Sequence, residues 1–190
     1  MNKRRVGDIF SDKLIIPSVK KLKYLNEALK SSAPVLYLSN VHIGNLKSIS
    51  ETCHKKSKFV FVHTNLIGGF KADHTGIKLL KNFFRVDGLF STNPQTISLA
   101  KKEGLYAVQR FFFMDSMSTD FALESLRSSN PDACELLPSP LALKVKKKIK
   151  SVNPDIPLLA AGYIDNRKFV EKIFEAGLDG LTTSSKDLWP

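Results

Sequence analysis

The sequence predicts a single α/β domain across residues 1–190, folded as a compact eight-stranded βα barrel of the TIM type. Eight short apolar segments alternate along the chain with segments of helical periodicity. The apolar segments are continuous rather than alternating, which is typical of parallel strands buried on both faces. The same alternation also fits an open, doubly wound sheet, which is the alternative architecture.

The elements follow from local patterns in chain order. Each predicted strand is a run of three or four mostly apolar residues, and the eight runs are 14–16, 35–38, 59–62, 88–90, 106–108, 134–137, 157–160 and 180–182. Helical spacing of apolar residues predicts the intervening helices at 18–30, 45–54, 73–83, 94–103, 118–128, 141–150 and 167–176.

Local chemistry supports several helix boundaries. Asn93-Pro94 and Asp165 are typical of helix starts, and Gly104 and Gly177 lie where glycine ends a helix. After the last predicted strand only residues 186–190 remain, so we expect the eighth helix to be short or missing. Either a partner subunit then covers that wall, which leaves a homodimer open, or the barrel is incomplete there.

Composition sets the general class. The chain has 190 residues, 43% hydrophobic and 25% charged, as in a globular domain with a substantial core. No uncharged apolar run reaches about 18 residues, so we expect no membrane span. The basic start, residues 1–5, is not followed by the apolar segment of a secretory signal. Cys53 and Cys134 fit no zinc or redox spacing. These observations predict a cytoplasmic protein without a cofactor.

The formal net charge of +11 makes a polyanion such as nucleic acid a plausible partner. Lys146, Lys147 and Lys148 form the densest basic cluster and are the candidate RNA-binding residues. They also fall near the end of a predicted helix, where cations interact favourably with the helix dipole. The sequence leaves both interpretations open.

Two late turns indicate a phosphate site. Gly162-Tyr163 follows the seventh predicted strand, and Thr183-Ser184-Ser185 follows the eighth. In TIM barrels these loops frequently bind a phosphate, because glycine lets N–H groups approach an anion and hydroxyl side chains add donors. The alternative is a pair of ordinary strand-to-helix turns.

Polar residues at the other strand ends complete the candidate site. Lys71 and Arg110 are candidate cations for the phosphate, although Lys71 could be solvated and Arg110 could stack or pair with Asp115. Five further polar residues are expected either to bind polyol hydroxyls or to form a buried hydrogen-bond network. They are Asn40, His63, Asn65, Gln109 and Glu135. We expect Gln109 and Glu135 to point into the barrel mouth.

The sequence gives less support for a metal site or for an enzyme. His42 and His63 end adjacent predicted strands but lack a third hard ligand, so no metal site is predicted. An isomerase or aldolase needs a tuned base or a lysine at a strand end, and a phosphodiesterase needs several carboxylates. A barrel enzyme acting on a small phosphorylated polyol or sugar therefore stays the alternative, with no catalytic residue assigned.

The aromatic run 111–114 is the remaining unusual segment. It follows Arg110 directly and reads Phe-Phe-Phe-Met. We expect a buried loop, with a lid over the ligand, a subunit contact or stacking on unpaired RNA bases as alternatives.

Several segments together resemble one family from about Ile16 to Trp189. They are Val41-His42-Ile43-Gly44-Asn45-Leu46-Lys47, His63-Thr64-Asn65-Leu66-Ile67, Ser91-Thr92, Val108-Gln109-Arg110, Glu135-Leu136-Leu137-Pro138 and Thr182-Thr183-Ser184-Ser185-Lys186-Asp187-Leu188-Trp189. The chain resembles the glycerol uptake operon antiterminator regulatory proteins, GlpP-like, of low-GC Gram-positive bacteria. The resemblance implies a cytosolic regulator with a barrel-like fold that responds to sn-glycerol 3-phosphate. With ligand bound, it would act on leader mRNA to prevent premature termination of glycerol-utilisation transcripts.

The chain departs from the family pattern at five positions. Asn40 and Asn65 stand where aspartate is common, Asn93 replaces an arginine, and Ser139 and Ala161 each replace a glycine. The changes to asparagine remove two negative charges from the expected mouth of the pocket, which would ease anion binding. Loss of the arginine would shift phosphate contacts onto the cations named above.

Overall fold

The computed structural model describes residues 9–10 and 13–190, so the basic start at 1–5 lies outside the described residues. Eight parallel strands form a closed barrel, which confirms the predicted architecture over the open sheet. In order around the barrel they are β1 (Leu14–Val19), β2 (Val35–Leu38), β4 (Phe59–His63), β6 (Gly88–Ser91), β7 (Tyr106–Phe112), β8 (Ala133–Leu137), β9 (Leu158–Ala161) and β10 (Gly180–Thr183). A separate two-stranded sheet, absent from the sequence prediction, pairs β3 (Val41–His42) with β5 (Ile67–Gly68).

Helices cover the outside of the barrel. Within the described residues they are α1 (Leu25–Lys30), α2 (Ile43–Lys55), α3 (His74–Asn82), α4 (Pro94–Lys102), α5 (Ser116–Ser129), α6 (Ser139–Val152) and α7 (Arg167–Glu175). After β10 a single 3₁₀ turn, Lys186–Leu188, takes the place of an eighth α-helix, as predicted. Trp189 anchors this end, because its indole N–H donates to the Thr183 carbonyl oxygen at 3.0 Å.

Three boundaries differ from the prediction. β1 continues through Pro17 because Ser18 and Val19 pair with β2, so the first helix begins only at Leu25, after a 3₁₀ turn. β7 extends to Phe112, which places the start of the aromatic run in a strand rather than a loop. α7 is capped by Asn166, whose side-chain oxygen accepts the Phe169 N–H at 2.9 Å, rather than by Asp165.

Aromatic side chains close the N-terminal end of the barrel. Phe10 packs edge-on against Phe61 and Tyr106, whose rings stack at 5.9 Å between centroids. Gly88 makes room for this layer, because a methyl group there would lie 2.6 Å from the Phe61 ring. Since this end is filled by fully packed rings, the open space of the barrel lies at its C-terminal end.

Three aspartates repeat one arrangement at the N-terminal end. Asp87, Asp132 and Asp179 directly precede β6, β8 and β10. Their carboxylates accept an N–H of the neighbouring strand, from Val60 (2.8 Å), Ala107 (2.9 Å) and Leu158 (2.8 Å). Each also faces a basic side chain of the helix before that neighbouring strand, namely His54 (2.7 Å), Lys101 (2.5 Å) and Lys150 (3.9 Å). The same arrangement therefore recurs once every two βα units around the barrel. The sequence analysis did not detect this repeat.

We predict that Asp132→Ala lowers the free energy of unfolding by about 2–3 kcal/mol, because it strands the buried Ala107 N–H and the Lys101 ammonium. Urea denaturation followed by circular dichroism measures this. The matched control is Asp155→Ala at an exposed turn position, which should cost less than about 0.5 kcal/mol. Equal losses in the two variants would contradict a structural role for the repeat.

Candidate functional site

A cavity of about 680 Å³ opens at the C-terminal end of the barrel. Both late turns line it, as the sequence analysis predicted for a shared site. Seven of the predicted site residues contribute to the lining: Asn40, Arg110, Gly162, Tyr163, Thr183, Ser184 and Ser185. The strand ends of the closed barrel therefore bring together residues that are more than 140 positions apart in the chain.

Hydrogen bonds join the two late turns directly. The Thr183 hydroxyl donates to the Ile164 carbonyl oxygen at 2.8 Å and accepts the Ser185 N–H at 3.0 Å. The Ser185 hydroxyl also donates to the Ile164 carbonyl, at 3.2 Å. Thr183 and Ser185 thus shape the turns in this structure, and Ser184 is the exposed residue between them.

Gly162 and Tyr163 form a left-handed turn, with φ of +80° and +58°. Glycine adopts this conformation without steric cost, whereas Tyr163 is held in it by its neighbours. The Ser139 hydroxyl donates to the Gly162 carbonyl oxygen at 2.5 Å, so Ser139 fastens the turn to the start of α6. Both residues of this turn line the cavity.

Below the cavity, Arg110 and Glu135 form a buried ion pair. The Glu135 side chain is fully buried and that of Arg110 is 12% exposed, with Arg110 Nε against Glu135 Oε2. Thr182 donates its hydroxyl to Glu135 Oε1 at 2.7 Å, and Arg110 Nη1 donates to the Tyr37 hydroxyl at 3.2 Å. Burial raises the pKa of the Glu135 carboxyl, while Arg110 and the Thr182 hydroxyl act in the opposite direction.

His63 ends β4 beside this pair and is buried. Burial and the nearby Arg110 charge lower the pKa of its imidazole to about 4, so it is neutral at pH 7. Its Nδ1 accepts the Asn65 N–H at 3.2 Å. Neither His63 nor Glu135 lines the cavity, so both lie behind the residues that do.

Gln109 does not point into the barrel mouth, which corrects the sequence-based expectation. Its amide donates to Ser125 Oγ at 2.6 Å and accepts from the Ser129 hydroxyl, both on α5. Successive side chains of a strand point to opposite faces, so Gln109 and Arg110 cannot both face the interior. Asp115 likewise caps α5 instead of pairing with Arg110.

Two further predicted residues lie outside the cavity. The Lys71 side chain is 87% exposed, with its ammonium 3.8 Å from the Asp73 carboxylate. Asn65 lines a smaller neighbouring cavity of about 410 Å³, together with Asn40 and His42. Only Asn40 and Leu66 contribute to both cavities.

The sequence analysis missed several lining residues that lie in the last part of β1 and β2 or directly after them. They are Ser18, Lys20, Tyr37 and Ser39. The predicted first strand ends at Ile16, so the prediction does not include Ser18 or Lys20. Residues two positions apart on a strand point to the same face, so Ser18 faces inward with Ile16, and Lys20 follows directly after the strand. Lys20 is exposed and forms no ion pair within the described part of the chain.

The aromatic run divides between core and surface. Phe111 and Phe113 are buried, while Phe112 is 51% and Met114 82% exposed. The expected buried loop is therefore half correct.

Among the described helices, none is long and apolar enough to span a bilayer.

Comparisons with known proteins agree with this architecture. The sequence profile of the family described as glycerol-3-phosphate responsive antiterminator matches residues 15–189. A solved glycerol uptake operon antiterminator regulatory protein from Listeria monocytogenes str. 4b F2365 is 29% identical, with a TM-score of 0.88 over 95% of this chain and 96% of that one. A glycerol uptake operon antiterminator-related protein from Thermotoga maritima MSB8 is also 29% identical, with a TM-score of 0.83 over 94% and 98%.

A curated relative without an assigned function also aligns over most of its length. The uncharacterized protein YgcP of Escherichia coli (strain K12) is 28% identical over 178 residues, which cover 92% of this chain and 91% of that protein. The family match over nearly the whole chain confirms the resemblance seen in the sequence segments. The chain belongs to the glycerol-3-phosphate responsive antiterminator family.

Proposed function

We propose that the mouth cavity binds sn-glycerol 3-phosphate and that the liganded protein acts in the cytoplasm as an antiterminator on leader mRNA of glycerol-utilisation genes. The observation that carries this proposal is the convergence of the two late turns on one cavity that also contains Arg110 and Lys20. Anion-binding backbone and two cations meet there, in a volume of about 680 Å³ that accommodates a small polyol phosphate.

The phosphate is assigned to the late turns. The backbone of Gly162, Tyr163 and Ser184 is its proposed seat, while Thr183 and Ser185 hold the loops through their own hydrogen bonds. Lys20 supplies a mobile ammonium at the rim. Arg110 supplies a fixed guanidinium beneath it, because Glu135 and Tyr37 hold its position.

The glycerol hydroxyls are assigned to the opposite side of the cavity. Asn40 offers an amide there, and Tyr37 and Ser39 offer hydroxyl groups. Glu135 contributes indirectly, by holding the position of Arg110, and His63 stays neutral behind the lining.

A regulatory role is favoured over catalysis by the state of the ionisable groups. No lysine occurs in the eight described barrel strands, and Lys20 in the cavity lining is exposed, whereas a Schiff-base lysine needs desolvation or a neighbouring cation to lower its pKa. Two carboxylates lie at or behind the lining. Asp165 is exposed at the rim and accepts the Asn166 amide at 2.8 Å, and Glu135 is engaged by Arg110 and Thr182.

The proposed RNA surface includes the lysine cluster of α6. The helix ends at Val152, so Lys146, Lys147 and Lys148 lie inside it rather than in its last turn. Lys147 and Lys148 are exposed, while Lys146 is half-buried beside Gly177. The helix-dipole explanation therefore applies to Lys150 and leaves the cluster available for a polyanion.

We predict that Lys20→Gln weakens sn-glycerol 3-phosphate binding about tenfold, because it removes a charge-assisted contact at the cavity rim. The matched control, Lys71→Gln, removes the same charge from a side chain outside the cavity and should change the Kd less than about twofold. Isothermal titration calorimetry compares the two. A larger loss in Lys71→Gln would overturn the assignment of Lys20.

We predict that the protein leaves sn-glycerol 3-phosphate chemically unchanged. Binding should appear as a ligand-dependent rise of Tm, since a ligand of the native state stabilises it. ³¹P NMR of the same mixture after prolonged incubation should show only the starting compound. Product formation would replace the regulator with the barrel-enzyme alternative.

We predict that Lys147→Glu/Lys148→Glu weakens leader-RNA binding about tenfold or more near physiological salt and flattens its salt dependence, because fewer counterions are released. Effector affinity should stay unchanged. Lys55→Glu/Lys56→Glu, the same charge reversal at the exposed end of α2, is the control. Fluorescence anisotropy measures both, and equal RNA affinity in the two double variants would exclude α6 as a contact surface.

A further inference from the structure

We propose that the groove between α6 and α7 binds one unpaired RNA nucleotide, and that Tyr163 links this groove to the effector cavity. This inference rests on the proposed function and adds the place where RNA and effector meet. The groove has a volume of about 320 Å³ and is lined by Pro140, Tyr163, Asn166, Lys168, Phe169 and Lys172.

The charge of the groove suits a phosphodiester. Lys168 and Lys172 lie one turn apart on α7, are exposed, and form no ion pair with a described residue. None of the lining residues carries a carboxylate. Among the acidic residues of α7, Glu171 lines a separate cleft with Arg167. Two free ammonium groups on one helix face therefore offer a local site for the RNA backbone.

Tyr163 offers the stacking surface. Its side chain is 81% exposed and makes no hydrogen bond or ring contact with the described residues. A large aromatic side chain left this exposed beside two lysines is the combination that single-stranded nucleic acid uses, with a base stacked on the ring and the backbone held by cations. A structural role would instead predict that the ring packs against its neighbours.

Tyr163 belongs to both sites, which provides a route for coupling. It lines the effector cavity as well as the groove. Its backbone, in the left-handed conformation next to Gly162, forms part of the proposed phosphate seat, while its ring serves the groove. A phosphate bound at this backbone and a base stacked on the ring act on the same residue, so each ligand favours the Tyr163 conformation that the other binds.

The ring is tested by Tyr163→Leu against Tyr163→Phe. Both variants keep a side chain on the left-handed backbone, and only the second keeps an aromatic surface. We expect Tyr163→Leu to weaken binding of the leader RNA about tenfold in the presence of effector and Tyr163→Phe to stay within about twofold of wild type. Because Tyr163 also lines the effector cavity, RNA binding is compared at an effector concentration that saturates each variant. With an abasic oligonucleotide of equal length, wild type and Tyr163→Leu should bind equally.

The two lysines are tested by Lys168→Gln/Lys172→Gln against Lys55→Gln/Lys56→Gln, which removes the same charge at the other end of the barrel. We expect the α7 variant alone to lower the slope of log affinity against log salt by about 1, since single strands lose about 0.7 per phosphate contact. Circular dichroism confirms that each variant is folded.

The outcomes separate this inference from the proposed function. If wild type binds effector and RNA cooperatively but the Tyr163 and Lys168/Lys172 variants bind RNA as wild type does, the groove assignment is overturned and the function stands. If the wild-type protein binds effector but does not bind RNA, both the groove assignment and the proposed action on leader mRNA are overturned. Loss of RNA binding at saturating effector in the Tyr163→Leu and Lys168→Gln/Lys172→Gln variants, with wild-type RNA binding in their controls, supports the proposal.

Discussion

The buried ion pair between Arg110 and Glu135 is the interaction on which the site depends. A fully buried carboxylate is costly unless it is paired and hydrogen-bonded, and here Arg110 and the Thr182 hydroxyl meet that requirement. The same pairing fixes a guanidinium under the cavity and orients it towards Tyr37. Burial, together with the Arg110 charge, lowers the pKa of the His63 imidazole and keeps it neutral. The polar floor of the mouth is therefore one connected network.

The N-terminal end of the barrel contributes to stability, and the C-terminal end carries the candidate binding site. At the N-terminal end, Phe10 and Phe61 fill the interior, and the aspartate repeat ties neighbouring strands together. At the C-terminal end, the late turns are held by hydrogen bonds to Ile164 and Gly162, and Gly162, Tyr163 and Ser184 line the cavity. Rigid support below a polar, accessible rim is what a binding site for a small anion requires.

Single residues show where sequence reasoning succeeds and where it stops. The late turns were predicted because glycine and hydroxyl residues at strand ends have intrinsic backbone and donor properties. A polar residue at a predicted strand end places Gln109 in the mouth, yet the alternation of side chains along the strand directs it towards Ser125. The apolar run 14–16 does not reach Lys20, whereas pairing with β2 extends the strand to Val19.

Local composition thus determined the number of the barrel strands, their order along the chain and the two turns that line the cavity. Each of these features depends on short-range patterns of apolar, glycine and hydroxyl residues. Tertiary structure alone decided which side chains face the interior, which hydroxyl groups are already engaged, and that Tyr163 lies between the cavity and the groove of α6 and α7. These features depend on strand register and on contacts between distant segments, which no local pattern specifies.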